Sequence, residues 1–367
     1  MPPNRIAELR AEIDEINLQL LDLLNKRATT ASEIGKLQAQ LGSQIYDPQR
    51  ESQMLTALQM KNEGPFSNET INALFKEIFK ATLNLEEKEA RSNFLVQRKS
   101  SEQKTVVTMP DGSHIGNGNN EFTVIAGPCA IESFEQYDEV AAALAEEGVK
   151  IMRAMAYKPR TSPYDFQGLG EPGLKIARQV ANKYGLMLVS EVLDQSQLAM
   201  MDDYIDMFWI GARNMQNPFL LRGVGKMNKP VILKRHFSAT LKELLYAAEY
   251  IMSEGNDQII LMERGIRTFA EWTRNTLDIG AVPLLKQESH LPVIVDVSHS
   301  AGRRDLAIPF ARIAKASGAD GLMVEVHPNP SVAMSDAKQQ ISIPQFKELM
   351  SELRKVHIDS EPEPAGD

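Results

Sequence analysis

Along the amino-terminal part of the chain, apolar side chains return every three or four positions. Ile6, Leu9, Ile13, Ile16, Leu20, Leu23 and Leu24 form one stripe, the spacing of an amphipathic helix. Neither proline nor glycine interrupts Asn4 to Ile34, and Leu41-Gly42-Ser43 supplies a stop. A second helix is expected after Asp47-Pro48, with the aspartate as N-cap and proline in the first turn. Glu63-Gly64-Pro65 ends it. A third is expected from Asn68 to about Val96, with Ile71, Leu74, Phe75, Ile78 and Phe79 on one face. One short helix between two long ones does not enclose a core, so the stripe predicts pairing with a second copy of the chain, in a dimer or tetramer.

The period then changes. Residues 97–121 read as a polar linker followed by a hairpin turning at Asp111-Gly112. Beyond them, short apolar runs alternate with helical stretches: FTVIAGPC, VKIMRAMAY, LMLVSEV, MFWIGAR, PVILKRH, QIILMERG, PVIVDVSH and GLMVEVHP. Eight such runs predict an α/β fold, a (β/α)8 TIM barrel over 122–355, preceded by an all-α three-helix domain over 1–96. A doubly wound sheet is the structural alternative; the regular return of the runs favours the barrel. The acidic, proline-containing tail over 356–367 is expected to be disordered.

Barrels of this kind carry their active sites at the carboxyl ends of the strands. Those ends hold Cys129, Arg153 with Lys158 and Arg160, Glu191, Arg213, Lys234, Arg264, His299 and Glu325. Charged side chains seldom go inside unless paired or bound to ligand. Any one of Arg153, Lys158, Arg160, Arg213, Lys234 and Arg264 could be half of a surface ion pair. Together at one mouth they call for a substrate with several negative charges. Cys129 alone reads as a buried thiol and His299 alone as a core histidine. With Glu325 and Asp336 they offer thiolate, imidazole and carboxylates, the donor set of one divalent ion such as Mn2+, Fe2+, Co2+ or Zn2+. The first, seventh and eighth runs become neighbours when the sheet closes, and the loop after the eighth can bring Asp336 to the same point.

Bulk properties narrow the partners. A length of 367 residues accommodates two domains. A formal net charge of −9 argues against nucleic acid or an anionic membrane. The single cysteine, Cys129, makes no internal disulfide, and the start MPPNRIAELRAEIDE lacks an apolar signal core. No run reaches the roughly 18 apolar residues of a membrane helix, so the cytoplasm is the expected compartment.

GPCAIES (127–133), KPRTSPYDFQGLG (158–170), IGARNMQN (210–217), ILKR (232–235), ERGIRT (263–268), DVSHSAGRR (296–304) and EVHPNPSVAMSD (325–336) carry a family likeness. Through them, residues 104–350 resemble the 3-deoxy-7-phosphoheptulonate (DAHP) synthases of the type related to 3-deoxy-octulosonate 8-phosphate synthases. The resemblance implies metal-dependent condensation of phosphoenolpyruvate with erythrose 4-phosphate, the first step of the shikimate pathway. It implies metal ligation by Cys129, His299, Glu325 and Asp336. Arg153, Lys158, Arg213, Lys234 and Arg264, with the backbone at Gly211-Ala212, correspond to the phosphoenolpyruvate site. Arg160, Thr161 and Ser162 correspond to the aldose phosphate site. Lys158 would also relay a proton, with a pKa lowered by neighbouring cations. The octulosonate synthases carry an Asn-Arg-Ser-type segment where this chain has KPRTS, so erythrose 4-phosphate is favoured over arabinose 5-phosphate. Two departures are Ala154-Met155, where relatives often have a glycine pair, and His236, where they usually have glycine.

Residues 5–90 resemble the all-helical chorismate mutases through Leu9-Arg10, Asn25-Lys26-Arg27, Glu33-Ile34-Gly35-Lys36 and Asp47-Pro48-Gln49-Arg50-Glu51. Arg10, Arg27, Asp47, Arg50 and Glu51 match positions of that family's site. Gln38 stands where the family has the lysine that contacts the ether oxygen, Ile45 replaces an arginine, and Glu86 replaces a glutamine. These changes weaken a cationic cage built for a dianion. The resemblance therefore implies a regulatory module that binds prephenate or chorismate. The alternatives are a fully bifunctional synthase and mutase, or a dimerisation bundle without a ligand.

Overall fold

The computed structural model describes residues 3–41, 47–91, 94–116, 121–160 and 162–357. The chain divides into two units, Met1–Gln97 and Arg98–Asp367.

The first unit holds three helices, α1 (Pro3–Leu41), α2 (Pro48–Met60) and α3 (Asn68–Arg91). The Asp47 carboxylate accepts from the N–H groups of Gln49 and Arg50 at 3.0 Å each, and Pro48 follows it, as the sequence predicts. α3 ends at Arg91, short of Val96, because Leu95 and Val96 already lie in a turn. Ala31 and Gly35 are the buried residues among those described in the three helices. The α1 stripe lies open: Leu23 is 61% exposed and Ile13 56%. On α3, Ile71, Phe75, Ile78 and Phe79 are half-buried and Leu74 is exposed.

The second unit begins with an antiparallel hairpin, β1 (Val107–Thr108) and β2 (His114–Ile115), whose turn contains Gly112 at φ +81. Its lead-in is not a free linker. Arg98 N donates to the Glu288 carbonyl at 3.0 Å, and Arg98 Nη1 to the Lys286 carbonyl at 2.7 Å. Eight parallel strands follow: β3 (Thr123–Gly127), β4 (Ile151–Arg153), β5 (Met187–Val192), β6 (Met207–Ile210), β7 (Val231–Lys234), β8 (Ile259–Glu263), β9 (Val293–Asp296) and β10 (Gly321–Glu325). They form a closed barrel, shut by β10 against β3 in a register running from Gly321↔Thr123 to Glu325↔Gly127.

Side chains alternate in and out along each strand. Ile125, Ile151, Met187, Met207, Ile232, Ile260, Ile294 and Met323 meet inside in one apolar cluster. Val107, Met109 and Ile115 of the hairpin join that cluster and cork the amino-terminal end. Towards the carboxyl ends the inward positions turn polar: Arg153, Glu191, Lys234, Asp296 and Glu325 are all buried. Period-two alternation thus puts a charged layer on top of an apolar one. No described helix is long and apolar enough to cross a membrane.

Candidate active site at the carboxyl ends of the strands

Arg153, Lys158, Arg160, Arg213, Lys234 and Arg264 all line one open cavity at the barrel mouth, with Glu191, His299 and Asp336 among them. Arg153 is fully buried, and its Nε and Nη1 have no acceptor among the described residues; nor has Arg264 Nε. A buried donor left unsatisfied costs about 1–3 kcal/mol, so this arrangement suits an anion. The indole of Trp209 lies beneath the cations, with Lys234 Nζ 4.6 Å and the Arg153 guanidinium carbon 5.2 Å from its centroid. Glu191 is the acid amid these bases. Burial pushes its carboxyl up, against the pull of Lys158, Lys234, Arg213 and Arg153. Gly211 makes room for it, since a Cβ there would come 1.7 Å from Glu191 Oε1.

Beside the cations, Cys129, Glu325 and Asp336 present ligand atoms within 4.8 Å of one another. His299 Nε2 stands 3.5 Å from Glu325 Oε1 and 3.9 Å from Asp336 Oδ2. The sequence-expected ligands are therefore neighbours, with His299 at the edge of the group. His299 Nδ1 is 2.9 Å from Asp296 Oδ2, a contact that suits the Nδ1–H tautomer, whose Nε2 lone pair faces the carboxylates. Cys129 Sγ donates to Asp336 Oδ2 at 3.4 Å. Burial pushes its thiol up to about 12, assisted by the negative Glu325. Glu325 goes the other way: burial opposes ionisation, but His299, Arg153 and Lys158 hold its carboxyl at about 2. Asp336 is the described non-glycine residue with a left-handed backbone, φ +45. Donor chemistry, spacing and the fixed imidazole all fit a divalent cation.

Several positions depart from expectation. Lys158 is not a lysine of lowered pKa. Burial disfavours its charge, yet Cys129 and Glu325 raise its pKa above the ordinary value. Its Nζ lies 2.8 Å from the Cys129 carbonyl and 3.1 Å from Sγ. The lysine whose pKa falls is Lys234, to about 8, chiefly through burial. Met155 is buried, joins the barrel core and lines the cavity, while Ser190 Oγ donates to the Ala154 carbonyl at 2.5 Å. His236 packs on the Phe237 ring at 4.0 Å, and its imidazole pKa is lowered by burial, then by Arg264 and Arg267. Arg160 Nε lies 3.4 Å from Asp165 Oδ2, Ser162 Oγ accepts from Tyr164 N at 3.2 Å, and Thr161 is outside the described residues.

Asp296, Gln339, Gln340, Arg267 and Arg274 also belong to this region, and the sequence reading did not single them out. Gln339 Nε2 donates to Glu325 Oε2 at 2.6 Å, and Gln340 Oε1 accepts from Cys129 N at 2.9 Å. Arg274 Nη1 donates to Gln339 Oε1 at 3.2 Å. Only Asp296 had a sequence signal: it lies two residues after inward-facing Ile294 and so shares its face.

In the helical unit, Asp47 caps α2. Arg27 donates to Thr82 Oγ1 and lies 5.2 Å from the centroid of the Phe79 ring. Arg10 and Arg50 are exposed, while Gln38 and Glu51 are half-buried. Ile45 and the Glu86 side chain lie outside what is described.

Residues 96–359 match the model of the DAHP synthetase I family, and residues 9–87 that of chorismate mutase type II. The chain is 53% identical over 262 residues to a phospho-2-dehydro-3-deoxyheptonate aldolase of Thermotoga maritima, covering 71% of this chain and 77% of the relative. It is 28% identical over 258 residues to a 2-dehydro-3-deoxyphosphooctonate aldolase of Syntrophobacter fumaroxidans, covering 65% of this chain and 88% of the relative. A crystal structure of the Thermotoga maritima DAHP synthase superposes with TM-score 0.69 at 53% identity, covering 72% of this chain and 76% of that one. A truncated form of the Thermotoga enzyme gives 0.66 at 51%, covering 71% and 95%.

Proposed function

The chain belongs to the DAHP synthetase I family and is a DAHP synthase carrying a chorismate mutase type II domain; from that premise we propose how its residues share the work. Phosphoenolpyruvate and erythrose 4-phosphate meet at the cationic mouth, with one divalent ion held by Cys129, His299, Glu325 and Asp336. The observation that carries this is that buried guanidinium nitrogens without an acceptor among the described residues, Arg153 Nε and Nη1 and Arg264 Nε, stand at the same barrel mouth as the Cys129, Glu325 and Asp336 donor group, with His299 Nε2 beside it. When bound, the ion supplies Lewis acidity toward the aldehyde oxygen of the aldose.

Arg153, Lys158, Arg213, Lys234 and Arg264 hold the carboxylate and phosphate of phosphoenolpyruvate, with the backbone at Gly211-Ala212 beside the phosphate. Arg160, Thr161 and Ser162 hold the phosphate of the aldose. Fixing both anions keeps the enol carbon near the aldehyde carbon, which converts a bimolecular encounter into an oriented one. The carbon–carbon bond forms and leaves a cationic centre at the carbon that bears the phosphate, the aldehyde oxygen gains a proton, and water adds at that centre with loss of a proton. The resulting hemiketal phosphate collapses with C–O cleavage and release of phosphate. Lys158, with its raised pKa, serves as a charged donor rather than a neutral base. Erythrose 4-phosphate is preferred over arabinose 5-phosphate, in line with KPRTS at 158–162 and the 53% identity to the heptonate aldolase.

We further propose that the helical unit binds prephenate or chorismate and regulates the synthase, because Gln38, Ile45 and Glu86 weaken its cage for catalysis. Full bifunctionality is the competing reading. The exposed α1 stripe supports homo-oligomerisation through the helices, and the cytoplasm is the proposed compartment. Steady-state assay with both phosphates, with and without prephenate or chorismate, tests the set; inhibition supports regulation, whereas loss of chorismate absorbance supports the mutase.

A further inference from the structure

Asp296 sits at the end of β9 with no exposure, and a single oxygen of its carboxylate faces both halves of the site. Oδ2 pairs with Lys234 Nζ and with His299 Nδ1, the latter at 2.9 Å, and the two nitrogens lie 3.5 Å apart. The second oxygen, Oδ1, accepts from His299 N at 2.8 Å and so caps the short helix Val297–Ala301. We propose that Asp296 is a positioning residue joining the metal-binding imidazole to the substrate-binding lysine, so that metal affinity and phosphoenolpyruvate affinity rise together. This rests on the metal and substrate reading above.

The physical argument is competition for one oxygen. An N–H donated to a full carboxylate orients an imidazole and makes its other nitrogen a better ligand; loss of such a partner typically weakens metal binding about 10–100-fold. Here the ammonium of Lys234 draws on the same Oδ2. When an anion binds Lys234, the ammonium protons turn toward it and Oδ2 is left to His299. The imidazole then binds metal more tightly, and linkage requires that metal tighten the anion equally. Two other contacts run in parallel, since Arg153 pairs with Glu325 and Lys158 with Cys129. They carry part of any coupling but do not touch His299 Nδ1.

The bland reading is that Asp296 is only a helix cap. Asparagine caps helices about as well as aspartate, so Asp296→Asn removes the charge and keeps the cap. Mn2+ binding to the full chain, stripped of metal, is measured by equilibrium dialysis with and without phosphoenolpyruvate. The parent should bind one ion per chain, more tightly by about fivefold or more with phosphoenolpyruvate. Asp296→Asn should weaken Mn2+ by about 10–100-fold and lose most of the phosphoenolpyruvate effect. Lys234→Met guards against a misfolded asparagine variant: it should bind Mn2+ at least as tightly as the parent, because Oδ2 then serves His299 alone. A parent that binds no Mn2+ overturns the metal reading itself. A parent that binds, with Asp296→Asn unchanged in both affinity and coupling, overturns only the role of Asp296. So does a Lys234→Met protein that loses Mn2+.

Discussion

Arg153 Nη2 donates to Glu325 Oε1 at 2.8 Å, with both side chains fully buried. Their strands are not neighbours: β3 runs between them, and Gly127 is the residue over which they meet. A Cβ on Gly127 would come within 3.0–3.2 Å of Arg153 N, O and Cβ, at a φ of +145 that side chains avoid. Gly127→Ala should therefore displace Arg153 and loosen Glu325 with it. The expected outcome is a KM for phosphoenolpyruvate raised about tenfold or more, an effect of at least ~1.4 kcal/mol. Steady-state kinetics on protein with an unchanged circular dichroism spectrum would check this.

Chelation should abolish condensation, and Mn2+ or Co2+ should restore it. Cys129→Ala should lose bound metal and activity together, because on the proposed assignment its sulfur is a metal ligand rather than a packing group. Full turnover in buffer shown by elemental analysis to be metal-free would refute the metal site.

Arg160→Ala should raise the KM for erythrose 4-phosphate about tenfold or more while leaving that for phosphoenolpyruvate within about twofold, since one charge-assisted contact is worth ~1.5–3 kcal/mol. The parent should prefer erythrose 4-phosphate to arabinose 5-phosphate by a large factor in kcat/KM. Equal turnover of the two sugars would assign the chain to the octulosonate branch instead.

A shortened chain beginning near Gln103 should keep condensation and lose inhibition by prephenate or chorismate. Inhibition that survives removal of the helices would place the effector site on the barrel.

Any mutase turnover should rise as pH falls. On the family correspondence, ionised Glu86 would repel the developing negative ether oxygen of chorismate, whereas the protonated acid would donate to it; the ordinary glutamate pKa is about 4.3. Activity followed from about pH 8 to 4.5 should climb in the parent and flatten in Glu86→Gln. Gln38→Lys should raise kcat by about 10²–10³, and Ile45→Arg should mainly improve binding. A level profile in the parent with no gain from Gln38→Lys would remove the ether oxygen from the explanation.

The barrel and the charged layer at its mouth were legible because both follow from periodicity, whereas the reaction was read from the family motifs. Strand runs name the inward face, and the last inward residue of several runs is a charged group of the site. Asp296 shows the limit. Its place on the inward face could be read from Ile294 two residues earlier, but that it meets both Lys234 and His299 depends on three elements closing in space. Gln339 and Gln340 had no local signal, since they sit in an irregular loop and their partners are far along the chain. Lys158 was misjudged for a related reason. Its neighbours in sequence are cations, but its neighbours in space are Cys129 and Glu325, and these reverse the sign of its shift.

The hairpin cork turns the barrel into a vessel with one door. With Val107, Met109 and Ile115 sealing the far end, all traffic crosses the same rim. On the proposed assignment, phosphoenolpyruvate lies deep, against fully buried Arg153 and nearly buried Lys234, and the aldose phosphate lies above it at the more open Arg160. The deeper guest must then board first, and it cannot leave while the upper berth is taken. An aldose that arrives early blocks the queue behind it, so excess erythrose 4-phosphate should slow the enzyme, and extra phosphoenolpyruvate should relieve the jam.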